Sequence, residues 1–272
     1  MSSADSFMGN PLSRVCPDRN DLLTWPDAPK LWRPIRSFRE MFSYEDLSKL
    51  VDGSHPRPVD MVMINGSTVT GNAPDVDHVS DTLVVNGLHT FWDPIVQFCG
   101  ELESEMHHPM TANSYLTPPN SRGFLPHWDT EPNLLLQTEG AKRWYLCPPL
   151  VKFPSSKRQR FSTTGITPEQ RKTIRDSSPI SMDLAAGETL FIPHGWIHWG
   201  ETYDEPSLHV TLAWSVHTWA SAIADMISQQ GLDSERLREP LPPRWSNLDN
   251  GDMLREMTLR LESWLNTNNI VP

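Results

Sequence analysis

Cysteine is scarce in this chain, with three in 272 residues: Cys16, Cys99 and Cys147. The number is odd and no two lie close together. That speaks against a disulfide framework or a zinc ribbon and fits a reducing cytoplasmic setting. Long apolar runs are missing too. None approaches the roughly 18 residues that a membrane-spanning helix needs, so no membrane partner is expected. The opening MSSADSFMGNPLSRVCPDRN has no basic start followed by an apolar stretch, so it does not read as a signal peptide. Basic residues are outnumbered, 23 against 34, and the formal net charge is −11. An acidic chain repels phosphate backbones, which disfavours nucleic acid as a partner. There is no internal repeat and no low-complexity tract.

Proline and tryptophan are plentiful instead, at 25 and 11 residues, and hydrophobic residues make up 38%. That much proline argues against a mostly helical protein and for many strands joined by loops. The length suits one large domain, or one domain with a small appendage. Residues 1–24 are polar and read as a flexible N-terminus. Residues 25–109 read as an α/β region. Ser43 followed by Glu45, Asp46 and the apolar Leu47 and Leu50 predicts a short capped helix, and Asp52-Gly53 closes it. DMVMING (60–66) reads as a strand ending in a turn. TLVVNGLHTFWDPIVQFCGELESEMHH (82–108) reads as a strand, a turn and an amphipathic helix. Its apolar positions Trp92, Ile95, Val96, Phe98, Cys99 and Leu102 fall at helical spacing.

After residue 110 the pattern changes to short β-type runs cut by proline and glycine: TANSYLTPP, FLPHWDT, PNLLLQTEGAKRWYLCPP, ISMDLAAGETLFIP and LHVTLAWSV. Five such runs in about 105 residues signal a sandwich or barrel. NLLLQTEGAKRWYL reads as a hairpin with Glu139-Gly140 at its tip. Beyond residue 217, TWASAIADMISQQG and NGDMLREMTLRLESWLN are amphipathic helices, which suits a helical arm over 217–272 that serves as a cap or a dimer contact.

FLPHWDT carries the first chemical signal. On a strand, His127 and Asp129 point one way and Trp128 the other. An imidazole and a carboxylate on one face suit a single cation, and a third ligand must come from elsewhere. GETLFIPHGWIHWGE offers His194 and His198, and Pro193 and Gly195 argue against a helix that would let both bind together. Two histidines and one carboxylate with open positions make the facial triad of non-haem Fe(II) oxygenases. By the same alternation Lys142 shares a face with Trp144 and Leu146, and Arg143 shares the other with Tyr145. Asn113 and Tyr115, two apart, also share a face.

These stretches, GFLPHWDTEPNLLLQTEGAKRWYLCPP, then GETLFIPHGWIHWGE, then SLHVTL, resemble the JmjC/cupin-type 2-oxoglutarate oxygenases. Within them they are most similar to the ribosomal-oxygenase branch, which hydroxylates histidyl or arginyl side chains of ribosomal proteins. TANSYLTPPNSRGF and LREPLPP resemble that branch as well. The resemblance runs from about residue 25 to 245 and is strongest over 111–214. It implies a mainly β fold with α, a double-stranded β-helix (jelly-roll) over 110–216 on which the 25–109 region packs. It implies Fe(II), 2-oxoglutarate as cosubstrate and O2. His127, Asp129 and His198 match the iron ligands, and His198 takes the final position of the PxGWxH pattern. Lys142 matches the cation that pairs with the distal carboxylate of 2-oxoglutarate, a dicarboxylate that needs a buried positive partner. Asn133 matches an asparagine beside 2-oxoglutarate in the related protein-asparaginyl hydroxylase. Asn113 and Tyr115 match positions near the substrate. His194 stands where the family usually has arginine, at a turn or pocket rim. His209 matches a strand histidine that is not a ligand. The chain departs from the branch in other ways: Asn133 stands where the branch tends to have a hydrophobe, Ala213 replaces a pocket serine, and only about 55 residues follow the barrel where those enzymes have a winged-helix domain.

One segment runs against the acidic whole. Residues 151–178 hold seven basic side chains and two acidic ones. The segment reads as a solvated loop or as a docking surface for an acidic peptide, with Lys157, Arg158 and Arg160 at its centre. The activity expected is hydroxylation of an unactivated C–H in an amino-acid side chain of a peptide or protein. The alternatives are a free amino acid or peptide natural product as substrate, a cupin-type metal hydrolase or isomerase that does not use 2-oxoglutarate, and a catalytically silent binding module. Cytoplasmic location and homodimerisation through 217–272 complete the expectations.

Overall fold

The computed structural model describes residues 11–33, 37–52, 59–62, 68–71, 80–155, 167–230, 234–241, 243 and 249–267. They fall into two compact units, Met1–Val216 and His217–Pro272.

The first unit begins with two short helices, α1 (Leu12–Val15) and α2 (Asn20–Leu23). Polarity alone reads this stretch as frayed. Yet Leu12, Val15, Cys16 and Leu22 are fully buried, because a few apolar side chains spaced one turn apart suffice to pin a helix. Strand β1 (Lys30–Trp32) follows, then α3 (Tyr44–Asp52). The α3 cap is reciprocal: Ser43 Oγ and Ser43 N–H both donate to Asp46 Oδ2, and Asp46 N–H donates back to Ser43 Oγ. Strands β2 (Val59–Val62), β3 (Thr68–Gly71) and β4 (Thr82–Val85) lead to a 3-10 turn at Leu88–Thr90 and to α4 (Asp93–Met106). Residues 53 and 63–66 of the predicted elements lie outside the described residues. Helix α4 buries Ile95, Phe98, Cys99 and Leu102 on one face, while Val96 stays 40% exposed on the flank of that stripe.

The barrel strands are β5 (Met110–Thr117), β6 (Asn133–Glu139), β7 (Ala141–Cys147), β8 (Ile180–Ala185), β9 (Thr189–Ile192), β10 (Ile197–Thr202) and β11 (Ser207–Trp214), with helix α5 (Pro168–Asp176) between β7 and β8. A full capping box between Thr167 and Gln170 starts α5 inside the basic segment. Lys157, Arg158 and Arg160 lie outside the described residues.

All pairing is antiparallel. One sheet has the order β1-β9-β6-β11-β5-β4-β2-β3 and the other β10-β7-β8. The N-terminal region therefore adds strands to both edges of the larger sheet. Two facing antiparallel sheets with this crossing connectivity form the double-stranded β-helix. NLLLQTEGAKRWYL is not a hairpin. Strand β6 pairs with β9 and β11 in the larger sheet, and β7 pairs with β8 and β10 in the smaller. Gly140, at φ 69°, is a corner where the chain changes sheets. A Cβ there would lie 2.1 Å from the Pro206 carbonyl oxygen, so only glycine fits.

This layering explains the burial. Strand β6 is covered on both faces, which is why NLLL shows no alternation. Its Leu134 and Leu136 pack outward with Phe38, Phe42 and Leu88, and Leu135 packs inward with Trp144, Leu146 and Leu190. In β7 the alternation is clean: Lys142, Trp144 and Leu146 are buried and Arg143 and Tyr145 are not.

The second unit holds α6 (Trp219–Gln230), α7 (Glu235–Arg238) and α8 (Asn250–Thr267). Arg260 joins Glu239 and Glu256 there. No helix among the described residues is long and apolar enough to cross a membrane.

Candidate functional site

FLPHWDT does not form a strand. It makes a single isolated bridge, His127 opposite His198. His127 N–H donates to His198 O at 3.2 Å, and His198 N–H donates to His127 O at 2.7 Å. No further pair joins this segment to β10. The alternation expected of a strand survives locally. Trp128 turns away into a cluster with Cys147, Ile174 and Ile197. The Asp129 carbonyl accepts from Gly195 N–H at 2.9 Å, which ties the first ligand segment to the turn before β10. Gly195, at φ 79°, has Pro154 and the Val151 carbonyl too close for any side chain.

These ties bring His127, Asp129 and His198 together, with one ligating atom from each within 4.8 Å of the others. His127 Nε2 lies 4.0 Å from Asp129 Oδ1, and His198 Nε2 lies 3.6 Å from Asp129 Oδ2. The two rings are 4.4 Å apart. Each ring's Nδ1 faces a backbone carbonyl, Leu125 O at 2.8 Å for His127 and Trp196 O at 3.0 Å for His198. A carbonyl only accepts, so Nδ1 carries the proton and Nε2 presents its lone pair inward. Burial and the neighbouring His127 lower the His198 pKa to about 4, which keeps that lone pair free. The donor set suits a divalent first-row metal held on one side, with open positions on the other. His194 is not part of the cluster; its ring meets Phe153 edge-on at 5.1 Å.

The cluster lines a cavity of 190 Å³ that also holds Tyr115, Asn133, Lys142 and His209. Asn133 donates its amide to Asp129 Oδ2 at 2.5 Å. Lys142 is 3% exposed. Its Nζ donates to Thr117 Oγ1 at 2.8 Å and lies 5.2 Å from the Trp144 ring centre. Thr82 Oγ1 continues the chain by donating to Thr117. Lys142 has no carboxylate partner among the described residues, and burial drops its pKa from 10.5 to about 7. Tyr115 is pushed up to about 12 by burial and by Asp129. Asn113 reaches the cavity only through Tyr115, and its Oδ1 also accepts from Gly87 N–H.

Sequence reasoning missed Thr117, Thr82 and Gly200. Thr117 was within reach, since it has the same parity on β5 as Asn113 and Tyr115. Gly200 gives no such signal: it pairs opposite Trp144 and leaves room for the Lys142 chain.

Residues 89–222 match the JmjC domain family model. Curated relatives include the bifunctional lysine-specific demethylase and histidyl-hydroxylase NO66 of Drosophila persimilis, 34% identical over 154 residues, covering 54% of this chain and 21% of that protein. The Drosophila melanogaster protein of the same name is 36% identical over 153 residues, covering 54% and 22%. The chain thus spans about a fifth of the length of these relatives. Among solved structures, Escherichia coli YcfD, a ribosomal oxygenase, superposes with a TM-score of 0.57 at 21% identity, over 90% of this chain and 66% of that one. YcfD in complex with cobalt and 2-oxoglutarate gives 0.55 at 20% identity, over 89% and 65%. At such identities the likeness shows the shared fold. The family match and the two-sheet barrel agree, and residues 89–222 of this chain are a JmjC domain.

Proposed function

We propose that this chain is an Fe(II)- and 2-oxoglutarate-dependent oxygenase that hydroxylates an unactivated C–H of an amino-acid side chain in a peptide or protein. One observation carries the reading: three side chains that can ligate a metal, and a buried lysine with no acidic partner among the described residues, line the same cavity. The names of the relatives, histidyl-hydroxylase and ribosomal oxygenase, and the cobalt and 2-oxoglutarate of the Escherichia coli complex, support it.

His127, Asp129 and His198 would hold the metal. Bound iron with 2-oxoglutarate and O2 supplies the oxidising chemistry, with succinate and CO2 as coproducts. The chain's own residues do the rest. Lys142 offers a cation that the pocket leaves unpaired, and a carboxylate placed against it restores the charge it gives up on burial. The Thr82–Thr117 chain fixes the direction of the ammonium. Asn133 holds one oxygen of Asp129 and borders the cosubstrate. The aromatic walls, Tyr115, Phe124 and Trp144, exclude water. Tyr115, oriented by Asn113, faces the side chain to be hydroxylated.

The reading extends to partners. The barrel over 110–216 carries the chemistry, the 25–109 region supports it, and the 217–272 arm serves a homodimer. The basic 151–178 segment docks an acidic stretch of the protein substrate, and the setting is cytoplasmic.

The test is anaerobic addition of Fe(II) and 2-oxoglutarate to the purified protein while following the weak visible charge-transfer band. The band is expected in the wild type and is expected to be lost or weakened in Asp129→Ala and Lys142→Ala. Iron bound without a band would replace this reading with a metal hydrolase or isomerase. No bound iron would replace it with a binding module.

A further inference from the structure

His209 is the one cavity-lining imidazole outside the ligand set among the described residues. It sits on β11, 2% exposed. Its ring stacks on Tyr115 at 5.0 Å and 9°, and meets Trp144 edge-on at 5.4 Å and 88°. Those two contacts fix the ring plane, so its nitrogens point in set directions.

The two nitrogens have different surroundings. Nδ1 is buried and has no hydrogen-bond partner among the described residues. The ring lines the cavity, and its Nε2, unlike Nδ1, is not a buried atom left without a partner. His127 and His198 differ, because each has a carbonyl waiting on Nδ1. With no acceptor at Nδ1 of His209, a proton there would be a stranded donor. Stranded N–H groups are rarer in folded proteins than under-used acceptors. The proton therefore belongs on Nε2, where a ligand can accept it. Burial and the nearby Lys142 charge both hold the ring well below its usual pKa, so it carries one proton.

We propose that His209 is a second anchor for the cosubstrate, donating from Nε2 to an oxygen of 2-oxoglutarate in the pocket that Lys142 also serves. The proposal rests on the oxygenase reading and adds to it a residue that binds the cosubstrate without binding metal. It accounts for a polar ring at a position whose neighbours on β11, Leu208 and Val210, are buried apolar side chains.

The test is calorimetric titration of 2-oxoglutarate into the Mn(II)-loaded protein, in which no turnover competes with binding. His209→Phe keeps the aromatic stack and removes the donor. His209→Gln keeps an N–H near the Nε2 position. His209→Phe is expected to weaken binding about ten- to a hundredfold, and His209→Gln to recover most of that loss, with Mn(II) affinity unchanged in both. Equal binding by wild type and His209→Phe overturns the proposal. So does equal weakening in Phe and Gln, which marks a packing role only. A wild type that binds Mn(II) but no 2-oxoglutarate overturns the oxygenase reading itself, and this proposal with it.

Discussion

His127 and His198 face each other across a two-way backbone bridge, 71 residues apart in sequence, with ring centres 4.4 Å apart. The same two residues thus supply both the structural link between their segments and two of the three side chains of the cluster. The backbone brings the two imidazoles together without an ion. The third side chain, Asp129, is the most open of the three, at 38% exposed against 14% and 6%. It depends on Asn133 for its direction.

Asn133→Leu tests that dependence. The amide contact to Asp129 Oδ2 disappears while the buried volume is filled. Loss of a partner that orients a metal ligand typically costs about ten- to a hundredfold in affinity. Mn(II) titration is expected to show a loss in that range, with the thermal midpoint little changed. Undiminished metal affinity would show that Asp129 is held without Asn133.

Lys142 makes 2-oxoglutarate binding sensitive to pH. In the ligand-free protein burial holds its pKa near 7, and a bound carboxylate favours the charged form. The titratable groups that line the same cavity are His209 on β11, Tyr115 on β5, His198 on β10, and His127 and Asp129. Affinity should be flat in Lys142 below pH 7. Above pH 7 it should fall by up to about tenfold per unit, because binding must take up a proton. Calorimetry in buffers of different ionisation enthalpy reads that proton directly. A pH-independent affinity between 7 and 9 would show that the ammonium is already charged in the empty pocket.

Stability carries the opposite sign for the same residue. Between about 7 and 10.5 the unfolded chain holds the Lys142 proton and the folded chain does not, so the residue's burden on stability lightens as pH rises through that window. Lys142→Met is expected to raise the melting temperature of the ligand-free protein below pH 7. The gain should shrink towards pH 10, and 2-oxoglutarate binding should be lost throughout. A melting temperature that falls at every pH would mean that the Thr117 contact outweighs the desolvation of the charge.

Gly200→Ala separates the cosubstrate pocket from the metal. The added methyl would lie 2.7 Å from Lys142 Cε and 3.2 Å from Cδ. The far end of a flexible side chain yields more readily than backbone, so the lysine moves and the barrel stays. Mn(II) binding should persist while 2-oxoglutarate binding drops at least tenfold, the rough cost of losing one charge-assisted hydrogen bond. Retained 2-oxoglutarate affinity would show that the lysine has a second productive route into the cavity.

The cluster was legible in the sequence because two short patterns, His-x-Asp and the turn before His198, each carry their geometry locally. Strand parity separated Lys142 from Arg143, and the family resemblance chose between the two faces. The connection between them was not. A glycine between two β-runs looks alike whether the chain folds back on itself or crosses to a facing sheet. Only the distant partners of β6 and β7, on β9, β11, β8 and β10, decide it. FLPHWDT resembled a strand because its parity is right, yet it pairs only through the bridge at His127. The burial of Leu12, Val15 and Leu22 was hidden by the polar residues between them.

The corner at Gly140 gives the sharpest stability test. Its φ of 69° is strained for any other residue. A methyl there would also meet the Pro206 carbonyl, which is backbone and cannot rotate aside. Gly140→Ala is expected to cost roughly 2–4 kcal/mol in urea unfolding. It should also weaken 2-oxoglutarate binding in the protein that remains folded, because Lys142 lies only two residues beyond the corner. Gly100→Ala is the matched control. Gly100 sits in α4 with nothing within 4 Å of an added Cβ, so alanine should stabilise by about 0.5–1 kcal/mol. If Gly140→Ala were no more disruptive than Gly100→Ala, the crossing between the sheets would have to tolerate a shifted Pro206. The close approach that turns β7 toward the cavity would then not be what aims Lys142.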